Sequence, residues 1–461
     1  MSTLRSPDGL FGREQEWRAL SAFVIDPQSR AMLGVISGKN RLGKSFLLRK
    51  LCDATGGFYY AADEAGDAQA LRMIGERLAA HLDVPGIRCD NWHDAVDALL
   101  ALGKDKPVPV VIDEFPRLVR ANPSLPSIIE DTLKNAQSRA RLLLCGSSMS
   151  FVKGTGLDVV LSTFDYRLAA KFWGIEDPVT ALKVNAIVGG TPAYRDNFVR
   201  NGAPAGPDDF DPWVLRTVLS PTSPLFREAR YLIADQPELR DRALYNSVLA
   251  AIANGNANRG GIADYAGRKS GDLAHPLTVL QDCGLITREP DVFKDNRTSF
   301  RIDEPLLTFY YAVMRPIWSD LEHARDAPRL WHRAQRGFLD KVLNPHLKHV
   351  CRVWSQRFAH WVGSGTVRDP AKQTRHEPDV VAFGPDGVLL SIGECTWGDV
   401  MGIGHLDRLS RIRALLVAQG KYGAETAKLT CFSVAGFTSE LRERAANSAD
   451  VVLVGAADLY R

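Results

Sequence analysis

A glycine-rich loop, GKNRLGKS at residues 38–45, combines residue types that bind phosphate. Four residues separate Gly38 from Gly43, and Lys44 and Ser45 follow directly. The glycines let the backbone curl so that successive N–H groups point at a phosphate near the positive end of a helix. Lys44 can neutralise the β- and γ-phosphate oxygens, and the Ser45 hydroxyl can bind Mg²⁺. The loop therefore predicts a site for ATP with magnesium.

An acidic pair, Asp113 and Glu114, follows an apolar run in VPVVIDEFPRL, residues 108–118. Asp113 is placed to orient Mg²⁺ through water, and Glu114 to polarise the attacking water as a general base. An isolated Asp-Glu after a strand more often caps the next helix. Here the aliphatic run and the upstream phosphate loop favour the catalytic interpretation.

Two serines end a third apolar run, ARLLLCGSSMS at residues 140–150. In a parallel sheet this strand would lie between the loop and the acidic pair, so Ser147 or Ser148 could contact a γ-phosphate. Either serine could equally cap the following helix. Both interpretations stay open.

A second set of carboxylates lies near the C-terminus, in AKQTRHEPDVVAFGPDGVLLSIGECTWGD at residues 371–399. Two strands joined by the turn GPDG would bring Asp379 close to Glu394, while Glu377 shares a face with Asp379. Converging carboxylates hold Mg²⁺ or Mn²⁺ and can present it to a phosphodiester. The structural alternative is that Glu394 pairs with Arg375 or caps a helix.

The elements that must position these side chains follow from hydrophobic periodicity. AMLGVIS (31–37) has the pattern of a short strand, FLLRKLCDA (46–54) has helical spacing, and GGFYYAAD (56–63) supplies another strand. Together with the two apolar runs they predict an α/β fold in which helices wrap an open parallel sheet. Ligands bind such sheets at the carboxyl ends of the strands.

The middle of the chain changes character after residue 200, where APAGPDDFDPW and SPTSPLF predict a Pro-rich linker. The pattern of residues 244–316 predicts two helices, a turn at Gly267, a third helix, two strands and a closing helix. This order is typical of a winged helix. Its second motif helix could read DNA, but that helix begins with a set of residues that is not strongly basic: Lys269, Ser270, Asp272 and His275. Protein contact or interdomain packing is the alternative, and three basic residues of the predicted wing keep DNA binding open: Arg288, Lys294 and Arg297.

Composition bounds the class of protein. The 461 residues predict two to four domains, and 45% hydrophobic with 24% charged residues is ordinary for a globular protein. The seven cysteines are scattered and lack CxxC spacing, which is typical of reduced thiols in a cytoplasm. The sequence also shows no signal segment and no apolar run long enough to span a bilayer. It therefore predicts a cytoplasmic protein without a membrane partner.

The charge is unevenly distributed. The net charge is +3, yet residues 325–376 contain eleven Lys or Arg against three acidic residues, a net of +8. This segment is either a set of solvated helix faces or a surface for a polyanion such as DNA.

Several motifs together resemble the archaeal-type ATPase family, which is related to the STAND and AAA+ groups of P-loop ATPases. They are FGRE (11–14) followed by Trp17 and Leu20, the glycine-rich loop, VVIDEFPRL, LLLCGSS and GGTPAYRDNF (189–198). The resemblance implies that FGRE lies along the adenine and that GGTPAY opens a helical lid over the nucleotide. In STFDYR (162–167), it makes Arg167 the candidate arginine for the γ-phosphate. The implied ATP contacts are Gly12, Arg13, Gly38, Lys39, Asn40, Arg41, Leu42, Gly43, Lys44, Ser45, Phe46 and Ser147.

The C-terminal hairpin resembles the PD-(D/E)xK nuclease core, with Pro378-Asp379, a turn, and an apolar strand ending at Glu394. The resemblance implies a further metal-binding acid on the upstream helix AQRGFLDKVL (334–343), at Asp340. Thr396 stands where the family has lysine. A neutral hydroxyl cannot stabilise the developing charge as that lysine does, so the sequence predicts a nuclease-like domain with weakened or absent cleavage.

The predicted architecture is a P-loop ATPase core (1–175), a helical lid and linker (176–235), a winged helix (236–318) and a nuclease-like domain (319–461). The predicted function is ATP binding and hydrolysis, with ATP and Mg²⁺ as cofactors, coupled to DNA binding and compatible with a homo-oligomer. The alternatives are an active, ATP-regulated, Mg²⁺-dependent DNA nuclease and a nucleotide-driven switch that contacts proteins only.

Overall fold

The computed structural model describes residues 4–147, 149, 151–152, 154–200, 202–234, 239, 241–323 and 326–461. The chain forms two compact units. The first unit runs to Phe164 and takes in Thr191–Ala193, and the second comprises Asp165–Gly190 and Tyr194–Arg461. The division comes earlier in the chain than residue 175, where the sequence predicts the end of the ATPase core.

Helices and strands alternate in the first unit. Its elements are α1 (Glu14–Ile25), β1 (Met32–Ser37), α2 (Lys44–Thr55), β2 (Phe58–Ala61), α3 (Asp67–Leu82), α4 (Trp92–Ala101), β3 (Val108–Asp113), α5 (Phe115–Ala121), α6 (Leu125–Asn135), β4 (Ala140–Gly146) and β5 (Leu157–Val160).

The five strands form one sheet in the order β2-β3-β4-β1-β5, and every pairing is parallel. The predicted α/β fold with a parallel sheet is confirmed. Strand β4 pairs with both β1 and β3, so the strand that precedes Ser147 lies between the other two motif strands. Because parallel strands end at the same edge, the glycine-rich loop, Asp113 and Ser147 all follow strands at one edge of the sheet.

The core of the first unit explains why its central strands are so apolar. Strands β3 and β4 are buried along their whole length. Alternate residues of β4 enter two different clusters, since Leu142 and Leu144 belong to one, and Leu143 and Cys145 to the other. The sheet is therefore covered by helices on both faces, as parallel sheets require.

The second unit begins with helices α7 (Tyr166–Trp173), α8 (Pro178–Val188), α9 (Phe210–Thr217) and α10 (Pro224–Ala234), with a π-helical turn at Tyr194–Phe198. The segment predicted to be a Pro-rich linker contains α9. Phe210, Trp213 and Val214 share one buried face of this helix. Their helical spacing outweighs the surrounding prolines, which lie before the helix, in its first turn or after its end, where they are tolerated.

The next segment contains three helices, a two-stranded hairpin and two short helices. They are α11 (Arg242–Ala253), α12 (Arg259–Ala266), α13 (Ala274–Asp282), β6 (Ile286–Asp291), β7 (Lys294–Ile302), α14 (Pro305–Phe309) and α15 (Trp318–Glu322). Strands β6 and β7 are antiparallel. Helix α12 ends at Gly267, whose φ of 62° lies in the left-handed region that glycine favours.

The last segment is an α/β domain. Its elements are α16 (Ala327–Phe338), α17 (Asn344–Ser355), β8 (Trp361–Gly363), β9 (Val367–Asp369), β10 (Thr374–His376), β11 (Val380–Phe383), β12 (Leu389–Thr396), α18 (Ile403–Ala418), β13 (Lys428–Ser433), α19 (Ser439–Ala446), β14 (Val451–Gly455) and α20 (Ala456–Leu459). A π-helical turn at Leu339–Leu343 joins α16 to α17.

Five of these strands form a mixed sheet in the order β14-β13-β12-β11-β8. Strand β11 is antiparallel to both β8 and β12, whereas β12, β13 and β14 are parallel. The predicted hairpin of Asp379 and Glu394 is thus β11 and β12. Strands β9 and β10 form a separate antiparallel pair.

The tip of the β6–β7 hairpin packs into this C-terminal domain. The Val292 N–H donates to the Ser364 carbonyl at 3.0 Å, and the Phe293 ring lies 5.4 Å from that of Tyr422. A Cβ atom at Gly365 would lie 2.5 Å from the Phe293 ring, so only glycine admits so close an approach. The hairpin tip is therefore part of the packing of the second unit.

The longest helices among the described residues, α3 and α18, each have 16 residues. No helix in the described ranges combines the length and apolar character needed to cross a membrane. The seven cysteines carry free thiols.

One charged side chain lies wholly inside the first unit. Arg141 of β4 is completely buried. Its guanidinium donates five hydrogen bonds of 2.5–3.1 Å to backbone carbonyls, those of Phe23, Asp26, Gln28, Arg30 and Arg139. These bonds connect the end of α1 and the turn before β1 to the centre of the sheet.

Replacing this arginine will destabilise the first unit strongly. Arg141→Leu leaves five carbonyls without their donor, so we expect the free energy of unfolding in urea to fall by about 3 kcal/mol. The neighbouring Arg139 is exposed, and Arg139→Leu should change the free energy of unfolding by no more than about 0.5 kcal/mol. Equal losses in the two variants would contradict a structural role for the buried guanidinium.

Candidate functional site

The glycine-rich loop connects β1 to α2, as the phosphate-binding interpretation requires. Gly38 has φ 138°, and a Cβ atom there would lie 2.4 Å from the Leu161 carbonyl oxygen. Gly43, at φ 89°, immediately precedes α2. Both glycines thus adopt backbone conformations that other residues rarely reach. The loop brings its N–H groups to the N-terminus of a 12-residue helix.

Lys44 is held in place by the loop itself. Its side chain is buried, and Nζ donates to the Gly38 carbonyl at 2.7 Å and the Lys39 carbonyl at 2.8 Å. Burial lowers the pKa of Lys44, an effect opposed by Cys145, Glu114 and Asp113. The amine is therefore already at the centre of the loop, with Asp113 and Glu114 near enough to act on it electrostatically.

Asp113, at the end of β3, is buried and fully engaged in hydrogen bonds. Its Oδ2 accepts from the Tyr59 hydroxyl at 2.5 Å and its Oδ1 from the Glu114 N–H at 2.9 Å. Burial acts to raise the pKa of Asp113, but hydrogen bonds, first among them that of the Ser45 hydroxyl, outweigh it and lower the pKa. Asp113 therefore stays ionised beside Ser45.

The donor set formed by Ser45 and Asp113 fits a magnesium ion. A hydroxyl oxygen and a carboxylate oxygen are hard ligands of the type that Mg²⁺ prefers. Hydrogen bonding by the Ser45 hydroxyl contributes to the lowered pKa of Asp113, so the two side chains lie near each other between α2 and β3. The two residues predicted to hold magnesium are thus brought together.

Glu114 occupies a strained position. Its backbone has φ 55° and ψ 34°, in the left-handed region, and few residues other than glycine, asparagine and aspartate adopt it. Its side chain is partly exposed, and its Oε2 lies 3.5 Å from Arg117 Nε. Strain of this kind is concentrated at functional sites, and here it places a carboxylate directly after Asp113.

Two residues of the site were missed by sequence analysis. Tyr59, on β2, donates to Asp113, and burial followed by this hydrogen bond raises its pKa to about 12. Cys145, on β4, is near enough to Asp113 to contribute to the lowering of its pKa. Both strands were predicted. The only available signal was the strand order, because β2 and β4 are the neighbours of β3.

The N-terminal segment FGRE lies against the loop. The Arg13 side chain is buried, and its Nη2 donates to the Ser162 carbonyl at 2.6 Å and the Leu42 carbonyl at 3.4 Å. Its guanidinium lies 4.7 Å from the centre of the Phe164 ring, and Gly12 precedes it at φ 62°. The structure thus brings Gly12 and Arg13 to the loop, where the resemblance expects adenine.

The remaining residues predicted to contact ATP differ in their burial and in their contacts with the loop. Arg41 has φ 70°, and its carbonyl accepts from the Ala193 N–H at 3.4 Å, which brings part of GGTPAY to the loop. Asn40 and Phe46 are exposed. Ser147 is exposed at the end of β4, and Ser148 lies outside the described residues.

Arg167 belongs to the second unit. Its Nε donates to the Leu459 carbonyl at 2.9 Å, and its guanidinium lies 4.7 Å from the centre of the Tyr166 ring. The Tyr166 hydroxyl donates to the same carbonyl at 2.6 Å. These contacts hold the start of α7 against the end of α20, and the role of Arg167 toward a γ-phosphate stays a prediction.

In the C-terminal domain, Asp379 is paired with a lysine that sequence analysis did not consider. Its Oδ1 lies 2.7 Å from Nζ of Lys348, on α17, and its Oδ2 accepts from the Cys395 N–H at 2.9 Å. Lys348 therefore supplies a cation beside the carboxylate although Thr396 replaces the expected lysine. Lys372 and Arg375, two basic residues close to Asp379 in sequence, are exposed.

Glu394 is paired with Arg408, on α18, rather than with Arg375. Its Oε1 accepts from Arg408 Nη1 at 2.7 Å, whereas its Oε2 is buried without a hydrogen-bond partner among the described residues. Burial raises the pKa of Glu394. The positive charge of Arg408 opposes this rise, and the negative charge of Asp379 raises the pKa further. The two carboxylates are thus close enough to interact electrostatically.

The other predicted acids of this site lie elsewhere. Asp340 is more than half exposed and pairs with Arg336 at 3.7 Å, while Glu377 pairs with Arg297 of β7 at 3.0 Å. In the part of the chain that the structure describes, no group of three or more His, Cys, Asp or Glu residues is placed to hold a metal ion. The residues present therefore do not fit a three-carboxylate magnesium site.

The basic segment from residue 325 to 376 divides into three parts. Arg325 lies outside the described residues, and Lys348 and Arg352 are occupied by Asp379 and Glu289. The exposed remainder includes Arg329, Arg333 and Arg336 on α16 and Arg368, Lys372 and Arg375 on or beside the β9–β10 hairpin. The three arginines of α16 lie on one helix face because their spacing is four and three residues.

The predicted wing is not free. The tip of β6–β7 packs on the C-terminal domain, and Arg297 is bound by Glu377 and by Thr366 at 2.8 Å. Lys269, Ser270 and Asp272 precede α13, His275 lies in its first turn, and all four are exposed, as is Arg288 on β6. The structure therefore leaves the start of this helix accessible to a partner, whereas the tip of the hairpin is covered.

Comparison with known proteins finds distant likenesses. No family model matches the chain. It is 24% identical over 330 residues to the uncharacterized protein MJECL04 of Methanocaldococcus jannaschii, covering 67% of this chain and 70% of that protein.

Among solved structures, the chain is similar to Cdc6p of Pyrobaculum aerophilum, with 17% identity, coverage of 69% of this chain and 97% of that one, and a TM-score of 0.32. It is also similar to the Aeropyrum pernix ORC1 protein in complex with DNA, with 13% identity, coverage of 68% of this chain and 95% of that one, and a TM-score of 0.36. A variant of Thermotoga maritima RuvB is similar with 17% identity, coverage of 60% of this chain and 88% of that one, and a TM-score of 0.32. At these TM-scores the function proposed for the chain depends on its own side-chain geometry.

The buried carboxyl of Glu394 predicts a distinctive pH dependence. Because its pKa is raised in the folded state, its contribution to stability is present below the unfolded pKa and is lost as the pH rises through the folded pKa. Glu394→Gln should therefore raise the midpoint of thermal unfolding at about pH 8, and the gain should shrink toward about pH 4.

The matched control is Glu443→Gln, since Glu443 is exposed on α19. This control should change the midpoint of thermal unfolding by the same small amount at about pH 4 and at about pH 8. If the midpoint of Glu394→Gln fell below that of the parent as the pH rises, the ion pair with Arg408 would contribute more to stability than burial of the carboxylate costs.

Proposed function

We propose that the first unit binds ATP with magnesium and hydrolyses it. The observation that carries this proposal is the buried Lys44, whose Nζ is held by the carbonyls of Gly38 and Lys39 inside the glycine-rich loop and whose charge interacts with the buried carboxylate of Asp113. Two hard ligands and a positive charge are brought to one edge of a parallel sheet by α2 and β3. This arrangement suits a nucleoside triphosphate and its metal ion.

Each residue has a role that follows from its position. Lys44 exchanges the carbonyls of Gly38 and Lys39 for the β- and γ-phosphate oxygens, and the loop N–H groups bind the β-phosphate. Ser45 and Asp113 hold the magnesium ion, which neutralises phosphate charge when bound. Ser147, exposed at the end of the intervening strand, is placed to contact the γ-phosphate.

Glu114 is the residue that distinguishes hydrolysis from binding alone. It follows Asp113 directly, its side chain is partly exposed, and its nearest cation, Arg117, is 3.5 Å away, a loose pair. A carboxylate with solvent access can accept a proton from an attacking water. The strained backbone at Glu114 is consistent with a position retained for chemistry rather than for stability.

Two variants separate binding from hydrolysis. Lys44→Ala should abolish tight binding of ATP, measured by calorimetry, and with it phosphate release. Glu114→Gln should still bind ATP but release phosphate about 10²- to 10⁴-fold more slowly, because only the general base is lost.

Lys104→Ala is the control, because Lys104 is an exposed lysine of the same unit, and its phosphate release should equal that of the parent. If Lys44→Ala hydrolysed ATP at the parent rate, the proposal would fail. If Glu114→Gln released phosphate at the parent rate, Glu114 would not be the general base.

We further propose that the second unit binds DNA and that the nucleotide state of the first unit controls this binding. Support comes from the exposed arginine face of α16 and the exposed basic residues of the β9–β10 hairpin, since phosphate contacts supply most nucleic-acid affinity. The helix–helix–hairpin order of α12, α13, β6 and β7 supports a winged helix. Because the wing is packed against the C-terminal domain, DNA contact falls to the start of α13 and to the basic surfaces.

Cleavage of the DNA is the competing function, and one observation favours it. Lys348 places an amine 2.7 Å from Asp379, which offsets the loss of lysine at position 396. Against it, Asp379 and Glu394 are already paired with Lys348 and Arg408, and Asp340 lies apart from them. A DNA-binding domain without cleavage is therefore the better-supported proposal.

One experiment tests retention and cleavage together. The protein is incubated with plasmid and linear DNA, ATP, and Mg²⁺ or Mn²⁺, and DNA retention and strand breaks are measured over a range of salt. Reversing the charge of Arg329, Arg333 and Arg336 to Glu should weaken retention and reduce the slope of log affinity against log salt by about 1 per lost contact.

Arg88→Glu, in the first unit, is the control because its side chain is almost fully exposed; it should leave retention unchanged. Strand breaks that disappear in Asp379→Ala and Glu394→Ala would replace the binding proposal by the nuclease. Absence of any salt-dependent retention would favour a switch that contacts only proteins.

A further inference from the structure

A pocket of about 810 Å³ opens in the second unit, lined by residues to which no role has been assigned above. It lies among α10, α11, the π-helical turn at Tyr310–Met314 and the segment from Arg315 through α15. Its size is in the range of small-molecule sites, about 300–1,000 Å³.

The charge of the pocket is strongly positive. Four arginines line it, namely Arg227, Arg230, Arg242 and Arg315, whereas Glu322 is the only acid among its described lining residues. Glu322 lies 3.9 Å from Arg227, and both side chains are about half exposed. A pair this long and this accessible to water neutralises little, so the pocket attracts an anion.

Three of the guanidinium groups are already held in position. Arg230 lies over the Trp318 ring at 5.1 Å from its centre, and Arg315 over the Tyr311 ring at 5.3 Å. Arg242 Nη2 donates to the Ala234 carbonyl at 3.2 Å.

A guanidinium has five N–H donors in a planar fork, and these contacts leave most of them available in the described part of the structure. Because ring stacking fixes the plane of the group, less freedom is lost when it binds a phosphate through two parallel hydrogen bonds.

The pocket also presents aromatic surface. Tyr231, on α10, is 50% exposed although it is large and partly apolar. The Trp318 ring stacks on the Phe226 ring, with ring centres 4.5 Å apart. Exposed rings beside arginines are the combination that binds a planar base next to a phosphate.

We propose that this pocket binds a nucleoside phosphate, with the phosphate on Arg230, Arg242 and Arg315 and the base stacked on Tyr231. The ligand is either a free nucleotide or one nucleotide of a single strand, since both carry the same groups. The proposal does not rest on ATP hydrolysis by the first unit or on the basic face of α16, because it involves none of their residues.

The test uses the full chain with Lys44→Ala, so that the glycine-rich loop does not contribute. Calorimetry measures the affinity for AMP in one arm and for a short single-stranded oligodeoxythymidine in the other. We expect binding in at least one arm. Arg230→Glu should weaken it at least tenfold, and Tyr231→Ala by roughly 5- to 150-fold, the range of one base stack.

Two controls make the result specific. Arg88→Glu should bind as the Lys44→Ala parent does, and inorganic phosphate should compete far less well than AMP or the oligonucleotide. Binding to AMP identifies a free nucleotide as the ligand, and binding to the oligonucleotide alone identifies a strand.

Three outcomes would overturn the proposal. They are no binding in either arm, unchanged affinity in the Tyr231→Ala variant, and phosphate competing as well as AMP. Tyr231→Ala keeps the test decisive even where Arg230→Glu disturbs folding, because Tyr231 lies at the surface.

Discussion

The placement of the buried Lys44 near the buried carboxylate of Asp113 is the constraint on which the proposed chemistry depends. A buried carboxylate is costly unless it is hydrogen-bonded, and Asp113 accepts from the Tyr59 hydroxyl on β2 and from the Glu114 N–H. That arrangement requires β3 to lie beside β2 and requires α2 to begin at Lys44. The parallel order of the sheet, the conformations of Gly38 and Gly43, and the two-sided apolar core all serve to keep this edge in place.

Several contacts join the parts of the second unit. The β6–β7 hairpin packs its tip on the C-terminal sheet, and Arg352 of α17 joins Glu289 of the hairpin to the backbone carbonyl of Asp379. The hairpin of the predicted winged helix is therefore not free at its tip. Movement of this segment would be transmitted to the C-terminal domain, which suits the proposed control of DNA binding.

Several parts of this structure could be predicted from local sequence, and others could not. Glycine spacing, apolar runs and the Asp-Glu pair were enough to predict the sheet and the ligand edge, because each depends on neighbours in the chain. The partners of the C-terminal carboxylates were not predictable in this way. Lys348 and Arg408 reach Asp379 and Glu394 from different helices, and no spacing rule relates them to the hairpin.

The sequence by itself determined the local elements: a strand, a glycine-rich turn and a helix at residues 31–55, the acidic end of β3, and the antiparallel hairpin of β11 and β12. Only the tertiary structure decided which charges meet. It joined Tyr59 to Asp113, separated Asp340 from the other acids, and gathered four arginines around one pocket. The physical reason is that backbone conformation follows from adjacent residues, whereas burial and ion pairing depend on side chains brought together across long distances in the chain.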